Sequence, residues 1–114
     1  MVIATVRSKN GVVIRLTQER WKHITTSHLE INAKDFDVVM SVMEDPDFIL
    51  YGDFGELLAV KKKARSKSWI VVPYKETVVL RTKEIEQTDG FVLTAYLTTD
   101  LRWLFQRKII WSKE

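Results

Sequence analysis

The sequence predicts an α+β domain in which two helices from the first half of the chain pack on one face of a mostly antiparallel β-sheet. Three observations lead there. The 114 residues, 46% hydrophobic and 29% charged, suffice for one core, and no Pro-, Gly- or Ser-rich linker divides them, so residues 1–114 read as a single domain. The two longer helical patterns both lie between Thr17 and Met43. After Pro46 the rhythm changes to short β-rich runs separated by turn residues. That segregated order argues against a doubly wound nucleotide-binding fold, and neither GxGxxG nor GxxxxGK[ST] is present.

Taken in order, Val2–Arg7 is β-branched and alternating, hence a strand. Ser8-Lys9-Asn10-Gly11 carries Asn-Gly, a hairpin signal, and Val12–Arg15 is the returning strand. Thr17 caps a helix over Gln18–Ser27, with Glu19 favourable at its positive end. Asn32 or Ala33 opens a second helix, about Lys34–Met43, whose Phe36, Val39, Met40 and Met43 recur at i, i+3, i+4, i+7. Asp45-Pro46-Asp47 stops it. Phe48–Tyr51, Glu56–Lys63, Ser68–Tyr74 and Thr77–Thr82 are strands, with Gly52–Gly55 and the basic run Lys61–Lys67 as turns. Pro73 assigns its strand to a sheet edge, a bulge or a strand end, because it has no N–H to donate. Phe91–Thr98 is a further strand, entered through Asp89-Gly90. Thr99 or Asp100 caps a helical turn over Leu101–Gln106, and Ile109–Trp111 reads as strand or tail.

Composition bounds the chemistry. There is no cysteine, which removes disulfides, thiolate metal sites and cysteine nucleophiles from this chain. No run of 18 apolar residues predicts a membrane span, and Met1–Arg7 does not read as a secretory signal, so the expectation is a cytoplasmic protein without a membrane partner. The net charge of +3 names no partner by itself. Divided along the chain it is uneven: residues 1–57 hold 6 Lys+Arg against 9 Asp+Glu, net −3, and residues 58–114 hold 12 against 6, net +6. Five cations lie in Lys61–Lys67, and Arg102, Arg107, Lys108 and Lys113 alternate with Trp103, Phe105 and Trp111. Cations beside aromatic rings suit a phosphate backbone with stacked bases, while a charged hairpin tip equally protects a strand edge from aggregation.

Histidine is the residue type that titrates nearest neutral pH, and there are two, His23 and His28. At spacing i, i+5 they diverge by about 140° around a helix, so they do not form a joint metal site, and HExxH is absent. His28 falls with Trp21 and Ile24 on the apolar stripe, His23 with Arg20 and Ser27. Either histidine also reads as a cap or packed ring without chemistry. The carboxylates Asp35, Asp37, Glu44, Asp45 and Asp47 read as a solvated helix surface and turn, so no metal is expected. In Phe91–Thr99, alternation sets Leu93, Ala95 and Leu97 on one face and Thr94, Tyr96 and Thr98 on the other. Three hydroxyls in a row suit donation to a phosphate or a ribose hydroxyl; the competing reading is a half-exposed strand of good β-formers.

The pattern Leu16-Thr17-x-Glu19-Arg20-Trp21-x-His23-Ile24-x-x-x-His28-x-Glu30, a helix ending in Asp45-Pro46-Asp47, and strands closing in Leu93-Thr94-Ala95-Tyr96-x-Thr98 resembles the phage-type barnase/EndoU/colicin/RelE-like nucleases, the BECR fold. The resemblance covers roughly residues 14–99. It implies metal-independent endoribonuclease chemistry: the ribose 2′-OH attacks the adjacent phosphate and leaves a 2′,3′-cyclic phosphate, with no cofactor. It assigns His28 as general acid or base, His23 as second proton handler or phosphate contact, Arg20 as electrostatic clamp, and Thr94, Tyr96 and Thr98 as donors to the scissile phosphate. Lys62, Lys63 and Arg65 would hold the RNA backbone, with Arg81 as a further clamp. The implied partners are RNA, tRNA and mRNA both being open, and, for a toxin-like domain, an antitoxin protein. The alternative is a non-catalytic module of the same fold that binds RNA or protein through its basic tip while the histidines are structural.

Overall fold

The computed structural model describes residues 1–28 and 30–113. Strands β1 (Val2–Arg7) and β2 (Val13–Thr17) form the first hairpin, where Gly11 takes the positive φ of +80° that the Asn-Gly turn needs. Helix α1 (Gln18–Ser27) follows directly, its Thr17 Oγ1 accepting from the Arg20 N–H at 3.1 Å. At Asn32 a capping box closes both ways: the side chain accepts from Lys34 N at 2.9 Å, and Asp35 Oδ2 accepts from Asn32 N at 2.9 Å. A single 3₁₀ turn (Ala33–Asp35) then runs into α2 (Phe36–Glu44), which ends at Asp45 as the Asp-Pro-Asp stop predicts.

The rest is β-structure with one short helix: β3 (Phe48–Tyr51), β4 (Leu57–Lys62), β5 (Trp69–Arg81), β6 (Glu86–Val92), β7 (Tyr96–Thr98), α3 (Leu101–Phe105) and β8 (Ile109–Ser112). The fold is α+β, with a mixed, mostly antiparallel eight-stranded sheet in the order β1-β2-β6-β5-β4-β3-β8 and β7 paired to β5. The parallel pair is β2 with β6, in register at Ile14↔Gly90 and Arg15↔Phe91. Among the described residues no helix is long and apolar enough to cross a membrane.

Two predicted strands are one. Ser68–Tyr74 and Thr77–Thr82 merge into the 13-residue β5, because Lys75 and Glu76, which lie between the two predicted strands, are half-buried in pairs with Phe91 and Gly90. β5 is therefore central, not an edge. Pro73 sits where its other neighbour breaks: its carbonyl accepts from Leu93 N at 2.9 Å, and its missing N–H faces the same side, so the ladder bulges over Leu93–Ala95 and separates β6 from β7. Asp89 and Gly90, expected as the entry to a strand, lie inside β6, which starts at Glu86. Gly90 is buried inside β6, where a Cβ would meet Ile14 Cδ1 at 2.3 Å and the Val13 carbonyl at 3.0 Å, so glycine there permits the parallel approach of β2.

Both sides of the sheet carry a core. Ile70, Val72 and Tyr74 of β5 and Ala59 of β4 join one apolar cluster with Ile14, Leu16 and Val92, to which α1 adds Ile24 and α2 adds Val39, Val42 and Met43. The alternate residues, Leu58 and Val60 of β4 and Val71 of β5, join a second with Leu50 and with Leu104 of α3. Phe48, Trp69 and Phe105 seal it, their ring centres 5.1–5.9 Å apart. Strand twist accumulates so far across the sheet that Lys9, at its β1–β2 edge, places its ammonium 5.2 Å from the ring centre of Trp111 on β8, the other edge.

Candidate functional site

The bulge opposite Pro73 and the turn between β3 and β4 enclose a cleft of about 360 Å³ on the α3 side of the sheet. Thr94 and Tyr96 enter it from the bulge and β7, Trp103 and Arg107 from α3 and its end, and Asp53, Phe54 and Glu56 from the turn. Tyr96 is the pivot. Its ring centre lies 6.0 Å from that of His28, tilted 35°, and 6.3 Å from that of Trp103. His28 is the C-cap of α1, its own N–H donating to the Ile24 carbonyl at 2.9 Å, so the helix end delivers the imidazole to β7. Its Nδ1 lies 3.7 Å from Glu30 Oε1.

Arg107 dominates the electrostatics. Its guanidinium donates to both Asp53 carboxylate oxygens, at 2.8 and 2.9 Å, and stacks 4.6 Å above the Trp103 ring centre. The hydrogen bonds from Arg107 hold the Asp53 carboxyl below the ordinary carboxylate range, and Asp53 in turn strengthens the proton affinity of the guanidinium. Burial pushes the Tyr96 hydroxyl up, with the Arg107 charge acting against it. Tyr96 is therefore a neutral donor at physiological pH. Among the described residues, two buried side-chain atoms have no hydrogen-bond partner, Thr94 Oγ1 and Arg107 Nε, and both belong to residues that line this cleft.

The structure sets His28 beside Tyr96 and places Tyr96 and Thr94 in the cleft wall, which His28 itself does not line, and it divides the rest of the predicted set. Thr98 Oγ1 accepts from the Asp100 N–H at 3.0 Å and so helps to start α3. Arg20 and His23 face a shallow groove with Thr17 and Glu19, and Arg20 borders Arg15 and Phe91; neither residue lines the Tyr96 cleft. The cause is helical phase: five residues apart on α1, His23 and His28 leave the helix in different directions. Arg81 pairs with Glu86 at 3.1 Å near the tip of the β5–β6 ribbon, ten positions from Val71, the register partner of Tyr96. That run is about 33 Å, which removes Arg81 from the cleft. Lys62, Lys63 and Arg65 occupy the β4–β5 hairpin, where Lys62 pairs with Trp69 and Trp69 with Thr98. Arg65 turns the hairpin at φ +58°.

Sequence reasoning missed Arg107, Asp53 and Glu56. Arg107 is one of the alternating cations near the end, but its aromatic neighbours do not form a base-stacking stripe: Phe105 is turned into the second core, and Trp103 is covered by Arg107 itself. Nothing in the sequence pairs Arg107 with Asp53, since they are 54 positions apart. Among the described residues no group of three or more His, Asp or Glu is arranged to hold a metal ion. Comparisons with protein-family models, with curated proteins and with solved structures return no significant match to this chain.

Proposed function

We propose that this domain is a metal-independent endoribonuclease of the barnase/EndoU/colicin/RelE-like class, with α1 and α2 as the helical layer on one sheet face. The observation that carries the reading is the His28–Tyr96 contact beside a cleft that holds a partnerless hydroxyl, Thr94, and a guanidinium, Arg107. In this reading the scissile phosphate lies between Thr94, Tyr96 and Arg107. The two hydroxyls donate to its oxygens, and Arg107 stabilises the charge that builds as the 2′-OH adds to phosphorus. His28 carries one of the two proton transfers, from the 2′-OH or to the departing 5′-oxygen. Glu56, the carboxylate of the cleft not bound to Arg107, carries the other. Lys62, Lys63 and Arg65 hold flanking phosphates. Arg20 and His23, on their separate groove, bind backbone without touching the reacting atoms.

The test is cleavage of total RNA in EDTA by wild type beside His28→Ala and Thr94→Ala. The reading requires products with 2′,3′-cyclic phosphate ends from wild type and strongly reduced cleavage by both variants. Equal products from all three, or none from any, overturns it. A second reading, a non-catalytic module binding RNA or protein, is favoured by the closure of Arg107 on Asp53. Salt-dependent RNA binding without cleavage supports its RNA form.

A further inference from the structure

A second cavity, about 340 Å³, lies on the opposite side of β7, between α2 and the β4–β5 hairpin. Alternation along β7 divides the two: Tyr96 faces the cleft described above, and its neighbour Leu97 faces this one. Its floor is apolar, built from Ile31, Val39, Ile70 and Leu97, the first three buried. One wall carries Lys61, Lys62 and Lys63 in succession. Lys61 is drawn to Asp45 at 3.5 Å, and Lys62 Nζ donates to the Ser66 carbonyl. Lys63 makes neither an ion pair nor a side-chain hydrogen bond among the described residues. Across the cavity stand Glu30 and Asp35, the latter bound by the Asn32 N–H in the capping box.

An apolar slot of this volume with a few convergent polar groups on its rim is the usual form of a small-molecule site. We propose that it binds a small ligand with an apolar body and one anionic group. The body sits on Ile31, Val39, Ile70 and Leu97, and the anion meets Lys63. The carboxylates opposite set the orientation, since an anion facing Glu30 and Asp35 is repelled and one facing the lysine wall is held. The ribonuclease reading gives Lys63 a flanking phosphate, so the two readings share that residue, and the cavity is tested by small-molecule binding with no RNA present.

The probe is 3-phenylpropanoate, with 3-phenylpropanamide as its neutral counterpart, titrated into the isotope-labelled protein and followed by two-dimensional NMR. The expected result is saturable shifts at Val39, Lys63 and Leu97, with the amide bound about tenfold more weakly. Lys63→Gln should weaken the acid by a similar factor and leave the amide unchanged. Val38→Trp on α2 and Ala64→Trp on the hairpin, both at exposed positions bordering the cavity, should each abolish binding with the fold intact. Absence of saturable shifts, shifts confined to other residues, equal affinity for acid and amide, or undiminished binding by both tryptophan variants overturns the proposal.

Discussion

Arg107 and Asp53, 54 positions apart, meet through two parallel hydrogen bonds of 2.8 and 2.9 Å and so tie the end of α3 to the β3–β4 turn. The pair closes one wall of the cleft around Tyr96 and gives the second core its rim. Because the carboxylate is largely exposed, its effect on stability is best read through pH.

The Asp53 carboxyl is held below its ordinary value of 3.8 by Arg107, so the folded state takes up that proton less readily than the unfolded state. The pair's contribution is therefore complete above that value and is lost as pH falls through the lower folded value. Thermal melts of wild type and Asp53→Asn should differ from pH 5 to 7 and converge toward pH 2, as roughly expected for a carboxylate.

Gly90→Ala should destabilise by about 1–3 kcal/mol, because the added Cβ crowds Ile14 and the Val13 carbonyl where β2 runs parallel to β6. Urea unfolding with an unchanged m-value would measure it. Gly55→Ala tests a different mechanism: its Cβ meets nothing within 4 Å, so its cost should come from the φ of +85° alone.

Leu104→Ala should cost about 2–5 kcal/mol, since the side chain is fully buried between α3 and the sheet. The second core shares strands β4 and β5 with the first and so unfolds with it, and far-UV and tryptophan-fluorescence unfolding curves should coincide for the variant as for wild type.

Thr17→Ala should cost about 1 kcal/mol through loss of the cap on α1, read from equilibrium unfolding. The same substitution loosens the helix whose far end presents His28, so a small fall in any RNA cleavage should accompany it.

For the cleavage reaction, His28→Ala and Glu56→Gln should each lower the rate by about 10²–10⁴, the usual range for a lost proton-transfer group. His23→Ala and Arg20→Ala should leave the rate at saturating RNA near that of wild type and raise only the RNA concentration required. Single-turnover kinetics on a short oligoribonucleotide separates the two effects.

Elements governed by local rules were legible in the sequence. The strand Val2–Arg7, the helix Gln18–Ser27 with its Thr17 cap and the strand Phe48–Tyr51 all stand at the predicted bounds, because alternation, capping and stop signals act over a few residues. The misreadings fall where a distant segment decides. Gly90 carries a turn residue's identity but serves close strand contact. At Pro73 the predicted bulge is present, and only the sheet-edge alternative fails, because β4 and β6 flank its strand. Lys75 and Glu76 continue a strand because Phe91 and Gly90 pair with them.

The α+β class, the helix caps, the lack of cysteine chemistry and the alternation that sets Tyr96 and Leu97 on opposite sides of β7 are legible in the residues themselves, whereas the predicted alternation fails at the bulge, where Leu93 lines the same cleft as Thr94. Tertiary structure alone decided which of these meet. It seated α3 on the side facing Tyr96, so that the hydroxyl side became a second core with a cleft at its rim. It joined His28 to Tyr96 and Arg107 to Asp53, and it left Arg20, His23 and Arg81 elsewhere. The reason is one of range. Periodicity and capping act between residues a few positions apart, whereas a site is made by side chains that approach only after strand order, twist and bulge have been set by the packing of the whole sheet.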